Sequence, residues 1–298
     1  MRKILITTLI LFFAGITFGQ NDGAGNTGLS FLKLGIGARS IAMGEAFVSL
    51  ADDGTAYIYN PARVNATENG NVTAMFNKTM MDMTTNFVGA KFRLNKFGIG
   101  IGLLKTTVSD IEVRNNPGAP IETFNSDNFS GGISLCYDIQ NNFSAGITVK
   151  MLYEKIYIDE ASGYGLDFGA NYKNNNVSFA VVLANVGSMN ALSNSETKLP
   201  TSLRLGASYI YRKDNFSITG ALDGFKVLDG GALHTHIGIE GGYKDFIFLR
   251  GGYQTGYENK SFSAGLGLKY KSLYVDYAFQ PYSIGFGSGN SISLGYNF

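Results

Sequence analysis

The chain has 298 residues, of which 45% are hydrophobic and only 16% are charged, whereas an ordinary soluble domain carries about 25% charged residues. Its 24 Lys and Arg balance 23 Asp and Glu, and this argues against a nucleic-acid-binding protein, which usually has a basic patch. A mean hydropathy of +0.03 argues equally against a helical membrane protein. Abundant Gly, Tyr and Phe without any Trp fit a membrane β-barrel, in which apolar outward residues alternate with polar inward ones.

Residues 1–19 have the pattern of a secretory signal peptide. Arg2 and Lys3 form a short basic region, and residues 4–16 form an apolar run that ends before Gly19. The alternative is a transmembrane anchor, but the run is shorter than the roughly 20 residues that a spanning helix needs. We expect cleavage near Gly19–Gln20 and export from the cytoplasm.

Residues 20–69 lack the repeated alternation of apolar and polar residues that begins at residue 70. Asp52-Asp53-Gly54 is a turn signal, and Pro61 forces Asn60 out of helical geometry while favouring the start of a short helix. This segment predicts one or two short helices with turns, and not barrel wall.

Residues 70–298 are predicted to form the barrel, because runs of about ten residues alternate between apolar and polar positions. In the clearest run, Phe262, Ala264, Leu266, Leu268 and Tyr270 share one face, and Ser, Gly and Lys residues occupy the other. Short polar turns alternate with longer links at 107–126, 188–199 and 282–288, as at the two ends of an outer-membrane barrel. Fourteen antiparallel strands are predicted, at 70–78, 84–94, 96–106, 127–139, 142–158, 162–173, 176–187, 200–212, 215–225, 233–244, 245–255, 259–271, 272–281 and 289–298.

The stretches 28–47 and 51–62, which end in Asn60-Pro61-Ala62, resemble the opening of the PorV/PorQ family of outer-membrane proteins. Residues 199–206, 248–253 and 273–279 are similar to later segments of that family. The resemblance implies a fourteen-stranded, FadL-like transmembrane barrel whose N-terminal segment, residues 20–69, folds inside the lumen as a small helical hatch. It also implies a link to the type IX secretion system, in which members of the family act as outer-membrane components. The hatch residues implied by the resemblance are Phe31, Leu34, Arg39, Met43, Glu45, Phe47, Asn60 and Pro61.

Charged side chains predict contacts between hatch and wall. Arg and Lys facing lipid at the midplane cost roughly 2–4 kcal/mol, so charges on the strands are expected to point into the lumen. We hypothesise that Arg39 and Glu45 form ion pairs with wall residues there. The wall candidates are Arg204, Glu240, Arg250 and Asp276.

The sequence contains no set of residues that indicates an enzyme, a metal site or a cofactor. His234 and His236 share one strand face with Glu240, and lumen-facing polar residues explain them better than metal ligation does. Cys136 is the single cysteine and is predicted to be a small buried apolar residue.

Two functions remain in competition. The first is an accessory or docking component of type IX secretion, with secretion components or exported cargo as partners. The alternative is a FadL-like outer-membrane channel for small hydrophobic molecules, with the hatch as its gate. A continuous lumen or an opening in the wall favours transport, and a closed lumen favours docking. In both cases the expected surroundings are outer-membrane lipid, without a nucleic-acid partner.

Overall fold

The computed structural model describes residues 25–68, 70–193, 196–283 and 285–298. Within these residues, fourteen strands form a closed antiparallel barrel in which consecutive strands pair and β1 closes the ring against β14. The predicted fold class is therefore confirmed, whereas the proposed signal peptide at 1–19 lies outside the described residues. The strands are β1 Asn71–Lys78, β2 Thr84–Leu94, β3 Phe97–Val113, β4 Glu122–Gln140, β5 Phe143–Ile156, β6 Asp159–Asn174, β7 Val177–Met189, β8 Ser202–Lys213, β9 Phe216–Val227, β10 Leu233–Tyr243, β11 Ile247–Gln254, β12 Phe262–Tyr270, β13 Leu273–Pro281 and β14 Ser288–Asn297.

The strands keep the alternation that the sequence predicts. On β12, Phe262 and Leu266 are 52% and 38% exposed on the outer surface, whereas Ser263 between them is 1% exposed in the lumen. Aromatic pairs lie near the end of the barrel with the short turns, among them Phe97 with Tyr137 at 4.9 Å between ring centroids. An apolar outer surface edged by aromatic rings suits a hydrocarbon layer.

The two ends of the barrel differ in their connections. The turns at 95–96, 141–142, 175–176, 214–215 and 271–272 are two residues long, and we call this the inner end, because short turns face the periplasm in outer-membrane barrels. The opposite, outer end carries longer connections such as 190–201 and 255–261.

The predicted loop at 107–126 is wrong for most of its length. β3 continues to Val113 and β4 begins at Glu122, with Ile111 opposite Phe124 beyond a bulge that follows Val108. Asp110 has φ 57° at this bulge. The extra residue reverses the face on which apolar side chains fall, so a fixed alternation loses the strand at this point.

Residues 25–68 pass through the lumen with little regular structure. They contain α-helices at Ala38–Ala42 and Ala56–Tyr59 and 3-10 helices at Ser30–Lys33 and Pro61–Arg63; a further 3-10 helix, Met80–Asp82, joins β1 to β2. Among the described residues, no helix is long and apolar enough to cross a membrane.

Candidate functional site

The segment from residue 28 to residue 68, which we call the hatch, crosses the lumen from its outer to its inner end. At the outer end the Gly28 amide donates to the carbonyl of Lys198, in the connection before β8, at 2.9 Å. At the inner end the Asn65 side chain donates to the carbonyl of Lys96, in the turn before β3, at 2.8 Å. The hatch therefore lies across the pathway between the two ends of the barrel.

Several glycines of the wall let the hatch approach the strands closely. A Cβ at Gly89 of β2 would lie 2.5 Å from the carbonyl oxygen of Gly54, and one at Gly146 of β5 would lie 2.5 Å from the carbonyl carbon of Pro61. A Cβ at Gly102 of β3 would lie 2.1 Å from the Tyr57 ring. The inward glycines thus shape the wall to fit this particular plug.

Polar wall residues accept hydrogen bonds from amides of the hatch that no helix satisfies. One carboxylate oxygen of Asp223 on β9 accepts from the amides of Phe47 and Val48 at 2.8 and 2.9 Å. The hydroxyl of Ser293 on β14 accepts from the Ala38 amide at 2.8 Å. Buried amides are costly without a partner, so these wall residues stabilise an otherwise irregular segment.

A first group of charges joins the hatch to β10, β11 and β13. The guanidinium of Arg39 donates to both carboxylate oxygens of Glu240 at 2.8 and 2.9 Å, and to Asp52 at 2.9 Å. Arg250 donates to Glu240 and to Asp276, both at 2.6 Å. Glu240 therefore lies between one arginine of the hatch and one of the wall.

A second group surrounds Glu45, whose carboxylate is 2% exposed. Lys260, in the outer connection between β11 and β12, donates to Glu45 Oε1 at 2.8 Å. Arg204 lies 3.9 Å from the other carboxylate oxygen, and its guanidinium lies 4.5 Å from the centre of the Phe225 ring. The structure thus separates Arg204 from the other three wall candidates and places it beside Glu45.

The remaining predicted hatch residues form its apolar body and its last turn. Phe31, Met43 and Phe47 are at most 4% exposed, and Leu34 packs against them. The Asn60 side chain accepts from the Ala62 amide at 2.9 Å and donates to the Val48 carbonyl at 3.1 Å. Pro61 begins the 3-10 helix that follows, as its geometry favours.

On the outer side of the hatch lies a cavity of about 230 Å³, which we call the outer cavity. Its floor is formed by the hatch, and outer connections line its rim. Apolar side chains from the hatch, the wall and the connection between β1 and β2 contribute to the lining, together with polar and charged residues that include Lys33, Glu45 and Lys260. The apolar lining residues are Leu34, Ile41, Met80, Met83, Phe225 and Val227.

On the inner side of the hatch lies a cavity of about 300 Å³, which we call the inner vestibule. Its lining is strongly charged and includes the arginines of the first charge group. The hatch therefore contributes to the lining of both cavities.

The two histidines lie beside the outer cavity, on the lumen face of β10. The His234 ring stacks on Tyr257 at 3.9 Å between centroids, and His236 Nε2 lies 3.0 Å from the Tyr257 hydroxyl. No group of three or more possible metal ligands occurs among the described residues. Cys136 is buried, and its Sγ donates to the Ala62 carbonyl at 3.3 Å, so it contacts the hatch.

The comparisons with solved structures identify the architecture. The CymD monoaromatic hydrocarbon channel is 12% identical, with a TM-score of 0.62, and the match covers 91% of this chain and 98% of that one. The toluene transporter TodX of Pseudomonas putida is 13% identical, with a TM-score of 0.62, covering 88% of this chain and 98% of that one. The chain shares the fold of these two channels, a closed antiparallel β-barrel. No protein-family model and no curated protein matches the chain, and at such low identity the likeness shows the fold alone.

Two contacts between hatch and wall were not predicted from the sequence. Asp223 lies in a predicted strand on the same face as Ser217 and Thr219, so its inward direction was available from the alternation. Lys260 falls in the predicted strand 259–271, on the outward face of Phe262, and this placement is wrong. β12 begins only at Phe262, and Lys260 lies in the connection before it, where it reaches Glu45, 215 residues away.

Proposed function

We propose that the chain is an outer-membrane channel that takes up small hydrophobic compounds, with the hatch as its gate. In this proposal the N-terminal signal directs export, and a compound enters the outer cavity before the hatch moves. The solved relatives TodX and CymD are described as a toluene transporter and a monoaromatic hydrocarbon channel, and these roles are carried to this chain here only as a proposal.

The outer cavity is the observation that carries this proposal. Its volume is about 230 Å³, and Leu34, Ile41 and Phe225 contribute to its apolar lining. A dry apolar cavity of about 150 Å³ is enough to bind benzene in another protein. The outer cavity is therefore large enough for a single aromatic ring with a small substituent.

A substitution that fills the cavity tests the proposal. Val227 lines the outer cavity and is 7% exposed, whereas Leu222 on the same strand faces lipid and is 46% exposed. In cells that carry the chain in their outer membrane, we expect Val227→Trp to reduce the initial rate of radiolabelled toluene uptake. Leu222→Trp adds the same indole outside the lumen and is expected to leave the rate unchanged.

The folded state of both variants is checked by the heat-dependent shift of the barrel on SDS gels. Uptake that is no faster with the wild-type chain than without it contradicts the proposal. Equal uptake by a folded Val227→Trp variant and the wild type also contradicts it, because the outer cavity is then not on the route.

A second candidate is a docking role in type IX secretion. It is favoured by the position of the hatch, which crosses the lumen from its outer to its inner end. Its motivation is the PorV/PorQ resemblance of the 28–62 region, together with a hatch that is hydrogen-bonded to the wall on several sides. The test is deletion of the gene in its native host, followed by mass spectrometry of surface and secreted proteins. Periplasmic accumulation of proteins with the type IX C-terminal domain supports this candidate, and normal export rejects it.

A further inference from the structure

The inner vestibule contains three cationic side chains close together. Arg63, from the end of the hatch, Lys173 of β6 and Arg212 of β8 all line this cavity. The Lys173 ammonium is repelled by Arg63 and Arg212 and attracted by Asp52, so these charges lie within electrostatic reach of one another. Within the described parts of the chain, none of the three has a carboxylate at ion-pair distance.

Arg63 is the most unusual member of the group. Arg63 is only 8% exposed, yet its guanidinium donates only to backbone carbonyls. Nε donates to Ala51 at 3.1 Å, and Nη2 donates to Leu50 at 3.3 Å. A buried cation is normally paired with an anion, because desolvation of an unpaired charge is expensive. The remaining nitrogen, Nη1, has no hydrogen-bond acceptor among the described atoms.

Five carboxylates line the same cavity, and three of them are paired with arginines: Asp52 with Arg39, and Glu240 and Asp276 with Arg250. Asp53 accepts from the Thr55 amide at 2.9 Å, and Asp245 lies in the turn between β10 and β11. The lining residues that β6 and β8 contribute are Lys173, Ile210 and Arg212, with no carboxylate among them.

Apolar residues lie beside these cations. Leu50 and Ile210 line the same cavity, and Ile210 precedes Arg212 by two residues on the lumen face of β8. A volume of about 300 Å³ corresponds to a small molecule and not to a folded partner. We propose that the inner vestibule binds a small organic oxyanion, whose carboxylate or phosphate group contacts Arg63, Lys173 and Arg212.

This site is distinct from the outer cavity, and it does not depend on the proposed uptake of hydrophobic compounds. Because Arg63 belongs to the hatch and the other two cations belong to the wall, a bound anion links the hatch to the wall. Occupancy of the vestibule then stabilises the closed position of the hatch.

The test is titration calorimetry of the full mature chain in non-ionic detergent at low salt, with benzoate and inorganic phosphate as separate probes. Lys173→Gln and Arg212→Gln alter exposed side chains, so folding is preserved. Each is expected to weaken benzoate binding by about tenfold, the effect of losing one charge-assisted hydrogen bond. Lys213→Gln is the matched control, because it removes the same charge from the neighbouring, outward-facing position of β8.

If both probes bind, the site recognises the anionic group itself. If benzoate binds more tightly than phosphate, Leu50 and Ile210 contribute to the affinity. The proposal is overturned if the wild type binds neither probe at concentrations up to about 10 mM. It is also overturned if Lys213→Gln weakens binding as much as Arg212→Gln, because the effect is then one of overall charge.

Discussion

Single side chains of the wall and the outer connections hold the hatch at identifiable atoms. Asp223 satisfies two backbone amides with one oxygen, and Lys260 neutralises Glu45 from an outer connection. The Asp223 contacts are buried and the Lys260–Glu45 pair is partly buried, so salt screens them less than a surface pair. These contacts therefore tie the hatch to residues of different strands and loops.

The pair of Glu45 and Lys260 predicts how the hatch responds to acid. Burial alone would raise the pKa of the Glu45 carboxyl, but nearby positive charge, chiefly that of Lys260, outweighs burial and lowers the pKa to about 2. A depressed pKa stabilises the folded state above the unfolded value of about 4.3, and this contribution is lost as the pH falls towards 2. We expect the contribution of this ion pair to the hydrogen-exchange protection of hatch amides, corrected for intrinsic rates, to be lost only below about pH 4.

Lys260→Gln provides the comparison for that prediction. Without the ammonium, burial dominates, so the Glu45 carboxyl takes up a proton at a higher pH and exchange accelerates earlier. Identical pH profiles for the variant and the wild type contradict the assignment of this ion pair.

At the scale of elements, the fit between the hatch and the strands depends on glycine. The turn at Gly54 lies against Gly89 of β2 so closely that neither position has room for a methyl group. We expect Gly89→Ala to displace this turn and to accelerate trypsin cleavage of the hatch in detergent. Gly220→Ala on β9 is the control, because that glycine has open space where the Cβ would go. Equal protection of the hatch in both variants contradicts the close fit.

The alternation of apolar and polar residues explains which parts of the barrel and of the hatch contacts could be predicted from the sequence. It put Glu240, Arg250 and Asp276 on the lumen face of their strands, because a charge on a strand has one face that avoids lipid, and in the structure Arg250 pairs with the other two. It failed beyond Val108, where a bulge shifts the pattern by one residue. It also put Lys260 on the outward face of a strand that begins only at Phe262, and it gave no partner for Arg63, since contacts from irregular segments depend on the folded path and not on a period.

For the whole molecule, the charges around Glu240 determine how firmly the lumen is closed. Removing one member of a buried ion-pair network costs about 3–5 kcal/mol, because its partners stay buried without compensation. We expect Arg250→Ala to increase both trypsin cleavage of the hatch and the ion conductance of the barrel in planar bilayers. Lys105→Ala is the control, because its pair with Asp127 is largely exposed and contributes little. If the rate of trypsin cleavage and the conductance of Arg250→Ala both equal those of the wild type, Arg250 does not hold the hatch in place.

The hatch directly precedes β1, and β1 closes the ring against β14 from Asn71 opposite Asn297 to Lys78 opposite Asn290. Its hydrogen bonds nevertheless reach β5, β9, β12 and β14, which are synthesised later. The seam between β1 and β14 thus closes the ring around a hatch that forms hydrogen bonds to strands on several sides of the wall. We expect the hatch to fold together with the wall, and not to enter a barrel that is already closed.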